Sequence, residues 1–276
     1  MSKAEGTTCC PPSAPKPKVA HPVSEQGAYE PRGKLVKAGD FEQVYVTGPD
    51  DAEHAILVVY DIFGFWETTL RGSDLLVSNL QLTLPHKVFM PDLFRGKPFP
   101  PDKDGDKEEL GKFFAGTANL EKRLPEVIKF AEYLKNERGF HSVSLLGYCW
   151  GGKITLLSLS SQLPHHESSV FTCGATVHPA MIAVDDGKHL DRPLAFFPSK
   201  DEPKDVIDSI VSAMQHKKFE EQCAYHFYNT VHHGWAAARA DLNDPENFKQ
   251  YEDVYQRLAD YFARVDCASS PGQSRL

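Results

Sequence analysis

The residues whose types and spacing suit them to chemistry are a cysteine, a carboxylate and a histidine, each just after a strand-like run. Cys149 lies within Ser144-Leu145-Leu146-Gly147-Tyr148-Cys149-Trp150-Gly151-Gly152-Lys153. The run before it, 143–146, is short and apolar, as in a buried strand. The run after it, 153–159, is apolar at helical spacing (Ile154, Leu156, Leu157, Leu159). Between them Gly147-x-Cys149-x-Gly151 has the form of a nucleophile elbow with cysteine in place of serine. A chain that turns so sharply from strand to helix strains the backbone of its central residue. A Cβ two residues to either side would collide with neighbouring backbone, so both positions call for glycine. The turn sets the sulfur at a helix N-terminus, where the dipole favours the thiolate.

Two plainer explanations compete. A buried cysteine is usually a small inert hydrophobe. Residues 147–153 also fit G-x-x-x-x-G-K, a phosphate loop, but that loop needs Ser or Thr next to hold the metal. The next residue is Ile154, and Thr155 comes one place too late. The bulk of Trp150 also suits a phosphate cradle poorly.

The partners decide between these readings. After the strand-like run 193–198 comes Ser199-Lys200-Asp201-Glu202-Pro203; after 224–228 comes Val231-His232-His233-Gly234-Trp235. Taken singly, Asp201 fits a cap for the helix near Pro203, and His233 a turn residue before glycine. Taken with the elbow, they give the order nucleophile, acid, base, as in an α/β-hydrolase triad. The imidazole accepts the thiol proton, and the carboxylate fixes its tautomer and supports the imidazolium.

Strands are expected at 41–47, 55–60, 88–90, 172–178, 193–198 and 224–228, besides the elbow strand. The continuous apolar run at 55–60 belongs in the centre of the sheet. Helices are expected at 68–82, 108–114, 121–136, 204–215 and 247–265, and the Pro- and Asp-rich stretch 97–106 is a loop. Alternating strands and helices imply an α/β fold, a doubly wound and mostly parallel sheet, with sites at the C-terminal strand ends. No repeat or linker splits off a second domain. The expected organisation is a Pro-rich lead-in over 1–30, one domain over 31–266 and a short flexible tail over 267–276.

The chain of 276 residues has a formal charge of −8 and 41% hydrophobic residues, enough for one large core. An acidic chain without basic clusters argues against nucleic acid and anionic membranes as partners. No run approaches ~18 apolar residues, so no membrane span is expected, and no apolar leader marks the N-terminus. Six scattered cysteines read as reduced intracellular thiols. Cys9 and Cys10 lack His or Cys partners at ligand spacing and read as part of a disordered tail.

The motifs together resemble the dienelactone hydrolase family, in its eukaryotic and especially fungal branch. The matching segments are Tyr60-Asp61-Ile62-Phe63-Gly64, Met90-Pro91-Asp92-Leu93-Phe94-Arg95-Gly96, the elbow, Ser199-Lys200-Asp201 and His233-Gly234-Trp235. The likeness implies an α/β-hydrolase that opens enol lactones such as dienelactone, or cleaves related esters. It implies Cys149 as nucleophile, His233 as base and then acid, and Asp201 as the carboxylate that orients His233. Backbone N–H groups of Ile62 and Trp150 would form the oxyanion hole. The family carries a carboxylate that helps keep the resting thiol uncharged; here it is Asp61, one methylene shorter than the bacterial glutamate. The family's substrate-carboxylate arginines match Arg95 and, at a different spacing from the histidine, Arg239. His178 reads as structural. No metal and no organic cofactor is implied, and the expected partner is a small, anionic lactone or ester.

Two further classes stay open on the sequence alone: a ligand-binding protein that keeps the fold without efficient catalysis, and a thioesterase or acyl transferase using the same cysteine. The terminal Ser274-Arg275-Leu276 is a conservative variant of the Ser-Lys-Leu peroxisomal address, implying an import receptor as partner, with cytoplasm as the alternative location.

Overall fold

The six residues His54–Val59 are all buried, and they form the strand beside which the site is built. A computed structural model describes residues 29–163 and 170–268 of the protein. Its sheet has eight strands in the order β1 (Lys34–Ala38), β2 (Phe41–Thr47), β4 (His86–Pro91), β3 (His54–Val59), β5 (Ser142–Tyr148), β6 (Gly174–Val177), β7 (Leu194–Phe197) and β8 (Ala224–Tyr225). Strands β3 to β8 pair in parallel, whereas β1 and β2 form an antiparallel hairpin on the β4 edge. Buried on both faces, β3 and β5 read as near-continuous apolar runs, as central parallel strands do.

β1 departs from the sequence-based expectation, which had no strand before residue 41. Its Lys34-Leu35-Val36-Lys37 run shows no period-2 alternation and leaves most side chains exposed, and the strand is held chiefly by its pairing with β2. A residue at positive φ, Gly39 (φ 52°), turns the chain between them.

Among the described residues six α-helices accompany the sheet: α1 (Glu67–Leu80), α2 (Lys107–Ala115), α3 (Leu120–Glu132), α4 (Trp150–Ser158), α5 (Lys204–Met214) and α6 (Pro245–Ala268). Alternation along β5 assigns the faces. Ser144 and Tyr148 reach α6, at Asp266 and Tyr255, while Gly147 lies against Gly151 and Thr155 of α4. α1 packs on α6, and Gly72 makes this possible: a Cβ there would sit 1.8 Å from the Tyr255 hydroxyl oxygen.

α6 extends to Ala268, so Cys267 is helical and not part of a tail. Its end is tied to the N-terminal ends of the parallel strands. Asp266, fully buried, meets His86 Nε2 of β4 at 2.8 Å and accepts from the Ser144 hydroxyl at 2.9 Å. The lead-in up to residue 28, with Cys9 and Cys10, and Ser274-Arg275-Leu276 lie outside the described residues. Among the described residues no helix is long and apolar enough to cross a membrane.

Candidate active site

Cys149 sits between the end of β5 and the start of α4 with φ 52° and ψ −115°, a conformation that L side chains rarely adopt. The surroundings enforce it. A Cβ on Gly147 would lie 2.1 Å from the Gly151 carbonyl oxygen, and one on Gly151 would lie 2.1 Å from that of Val59. A Cβ on Gly152 would lie 2.6 Å from Pro179 Cβ. The Cys149 carbonyl accepts from the N–H groups of Gly152 (3.0 Å) and Ala180 (2.9 Å), and its own N–H donates to Val177 at 3.3 Å. These bonds hold the strained residue in place while the sulfur stands at the N-terminus of α4. The neighbouring Trp150 is anchored through its indole N–H to Ala118 (3.0 Å) and packs on Phe94.

His233 follows β8 in the chain and is 2% exposed, as is Cys149. Its ring Nδ1 lies 2.6 Å from Glu202 Oε1. Glu202 in turn accepts from the Ser199 hydroxyl (3.1 Å) and from the Ser199 backbone N–H. Asp201, expected from the sequence to orient the imidazole, sits elsewhere on the same residue: its Oδ2 accepts from the backbone N–H of His233 at 2.8 Å. The two adjacent carboxylates thus divide between ring and main chain. The sequence offers one signal for this, a Ser three residues before Glu202 able to wrap its carboxylate, and the expectation passed over it. With Nδ1 donating to a carboxylate, the neutral ring carries its lone pair on Nε2.

His178 (φ 39°), fully buried, stacks edge-on to His233 (centroids 5.1 Å apart) and to Trp235 (5.2 Å). It forms part of the wall behind the His233 ring. Beneath Cys149, Tyr148 donates to Tyr255, which donates to the carbonyl of Ala236. Burial pushes both phenols far above their ordinary range, so they act as neutral donors. Burial likewise lowers the pKa of His232, beside the site.

Asp61 caps the turn after β3. Oδ1 accepts from Phe63 N–H (2.9 Å) and Oδ2 from Ala238 N–H (3.1 Å). One carboxylate therefore ties the Ile62 turn to the loop after His233.

The two arginines diverge. Arg95 (φ 54°) lies over the Phe41 ring, 4.3 Å from its centroid, and pairs with Glu126 at 3.2 Å. It lines a surface cavity of about 610 Å³ with Asp40, Lys129 and Tyr133, whose lining includes none of Cys149, Glu202 or His233. Arg239 is buried. Its stem packs on Gly234, its guanidinium is 5.3 Å from the Phe63 ring centroid, and it pairs with Asp104 at 2.9 Å. Asp104 was not singled out from the sequence. Among the described residues no group of three or more His, Cys, Asp or Glu side chains is arranged to hold a metal ion.

Comparison with known proteins agrees with this fold. The family model for the dienelactone hydrolase family matches residues 43–266. An AIM2 family protein of Schizosaccharomyces pombe is 27% identical over 263 residues, covering 93% of this chain and 99% of that protein. A carboxymethylenebutenolidase homolog of Homo sapiens is 28% identical over 225 residues, covering 78% of this chain and 84% of that one. Among solved structures, a dienelactone hydrolase from Anabaena variabilis superposes with a TM-score of 0.58 at 12% identity, over 86% of this chain and 99% of that one. The chain belongs to the dienelactone hydrolase family, as an ester hydrolase of the α/β-hydrolase fold.

Proposed function

We propose that this protein hydrolyses small enol lactones and related esters by covalent catalysis, with Cys149 as nucleophile, His233 as base and then acid, and Glu202 as the carboxylate that orients the imidazole. The observation that carries the reading is the 2.6 Å contact of His233 Nδ1 with Glu202 Oε1, both side chains 3% exposed, in a site closed by the strained elbow of Cys149. Asp201 serves a different purpose, holding the main chain of His233.

The steps follow from these groups. His233 Nε2 takes the thiol proton, and Sγ attacks the acyl carbon. The oxyanion is received by backbone N–H groups of Trp150, at the first turn of α4, and Ile62. The bond from the acyl carbon to the ester oxygen breaks, and His233 returns the proton to that oxygen. For an enol lactone the leaving enol stays tethered and tautomerises to the ketone. Water, deprotonated by His233, then attacks the thioester and releases a carboxylate and the thiol. Glu202 stabilises the imidazolium in both halves. Asp61 is proposed to keep the Ile62 turn in register and to restrain the resting thiol.

The test is turnover of dienelactone, a neutral short-chain p-nitrophenyl ester and its carboxylate-bearing analogue by wild type and Cys149→Ala. The variant is expected to lose about 10³-fold or more in kcat/KM, and wild type quenched during turnover should carry an acyl mass on Cys149. Activity that survives in Cys149→Ala overturns the mechanism. Binding without turnover by wild type makes the protein a non-catalytic binder, and acyl transfer to added thiols or amines in place of water makes it an acyl transferase. Ser274-Arg275-Leu276 supports peroxisomal delivery. A fusion that leaves this terminus free should enter peroxisomes and return to the cytoplasm when Leu276 is removed.

A further inference from the structure

The segment 97–106 is fastened beside the site at two points. Phe99 donates its backbone N–H to the Ile62 carbonyl at 2.8 Å, on the turn proposed to receive the oxyanion. Further along, Asp104 pairs with Arg239, a residue 135 positions away in sequence. The pair is closed off from water, with side-chain exposures of 3% for Arg239 and 7% for Asp104. Exposed ion pairs contribute little, but a desolvated pair is a strong constraint, because removing either partner leaves a buried charge. The location of the pair is as informative as its burial. The stem of Arg239 lies against Gly234, immediately after His233, where an added Cβ would come within 2.7 Å of Arg239 Cδ. Its guanidinium lies by Phe63, immediately after Ile62. The cation therefore stands between the loop that carries the base and the turn that faces the nucleophile.

We infer that Asp104 is a specificity-determining residue: a resident carboxylate that neutralises Arg239 and so selects neutral substrates over anionic ones. An anionic group entering the site must displace Asp104, and with it the attachment of 97–106, before it can use Arg239. A neutral ester faces no such exchange. The family resemblance implied an anionic substrate. With Asp104 on Arg239, and Glu126 on Arg95, both expected carboxylate anchors already hold an internal carboxylate. The inference deepens the hydrolase reading of the site and rests on it for its consequence in turnover.

The test reads charge selection at Cys149 without requiring catalysis. Cys149 is alkylated with iodoacetamide, which is neutral, or iodoacetate, which is anionic, and modification is quantified on the Cys149 peptide by mass spectrometry. The proteins are wild type, Asp104→Asn, Asp104→Ser and Asp104→Asn combined with Arg239→Gln. Wild type should favour iodoacetamide. Both single variants should raise the iodoacetate-to-iodoacetamide rate ratio about 10-fold, and the double variant should return it to the wild-type value or below. A ratio that stays within 2-fold of wild type in both single variants overturns the inference, as does a gain that persists without Arg239. Loss of the cooperative thermal transition in both single variants also overturns it, since the pair would then serve folding alone. If the ratio responds as expected but no ester is turned over, the charge selection stands and the hydrolase reading fails.

Discussion

Glu202 and His233 meet through Oε1 and Nδ1 at 2.6 Å, whereas Asp201, one residue earlier, meets the same histidine through its backbone N–H. The two carboxylates should therefore respond very differently to isosteric neutralisation. Glu202→Gln removes the charge beside the imidazolium and favours the wrong tautomer, so kcat should fall by about 10²–10⁴-fold with KM little changed. Asp201→Asn keeps an acceptor for the His233 N–H and should cost less than about 10-fold. Steady-state kinetics on an activated ester compares them, and the reverse ranking would return the acid role to Asp201.

The elbow glycines give a prediction about stability. Gly147→Ala and Gly151→Ala each drive a Cβ to 2.1 Å from a backbone oxygen. Neither oxygen belongs to a flexible side chain, so strand and helix must part, and each change should destabilise by about 3 kcal/mol or more. Gly111, in α2, has nothing within 4 Å of its added Cβ. Gly111→Ala should stabilise by about 0.5–1 kcal/mol through helix propensity. Denaturant midpoints distinguish the three.

Asp61 leads to a third expectation. Asp61→Asn turns an NH2 group toward one of two backbone donors, Phe63 or Ala238, and leaves that donor facing another donor. The cost should be about 1–3 kcal/mol, with a drop in kcat because the Ile62 turn loosens. If Asp61 also restrains the thiol, iodoacetamide should modify Cys149 faster in this variant than in wild type; an unchanged rate would leave Asp61 with its bracing role alone.

The dependence of stability on pH follows from buried histidines. His54 has its pKa lowered, first by burial and then by the neighbouring His86. A folded pKa below the ordinary value of about 6.5 means that the unfolded chain takes up a proton the folded chain refuses. Stability should thus be lost as pH falls below about 6.5 and be retained above it. His54 sits in β3 with Nδ1 2.8 Å from the Ser142 hydroxyl. His54→Asn should be less stable than wild type at pH 7 yet lose less between pH 7 and 5.5. Urea midpoints across that range measure it, and parallel curves for the two proteins would assign the slope to other groups.

The elements with a strong local pattern were legible in the sequence. The apolar run of β3 and the glycine spacing of the elbow each follow from rules acting over a few residues, and the structure has β3 and the elbow where those rules put them. What escaped is decided by contacts between distant residues. β1 (Lys-Leu-Val-Lys-Ala) has no period-2 alternation, and its pairing with β2 defines it more than its composition. Which of Asp201 and Glu202 reaches a ring depends on how Ser199 folds back on Glu202, a matter of one turn's geometry. The two arginines were recognisable as charges, but their partners, Glu126 and Asp104, lie 31 and 135 positions away and are fixed only by the fold.

Asp266 fastens the last turns of α6 to His86 and Ser144, where the parallel strands begin. Cys149, Glu202 and His233 come from the ends where those strands finish. The sheet therefore has opposite poles, one that carries the candidate site and one at which α6 ends. Anything joined directly after Ala268, whether an affinity handle, a fluorescent reporter or a surface linker for immobilised catalysis, starts at the pole opposite the candidate site.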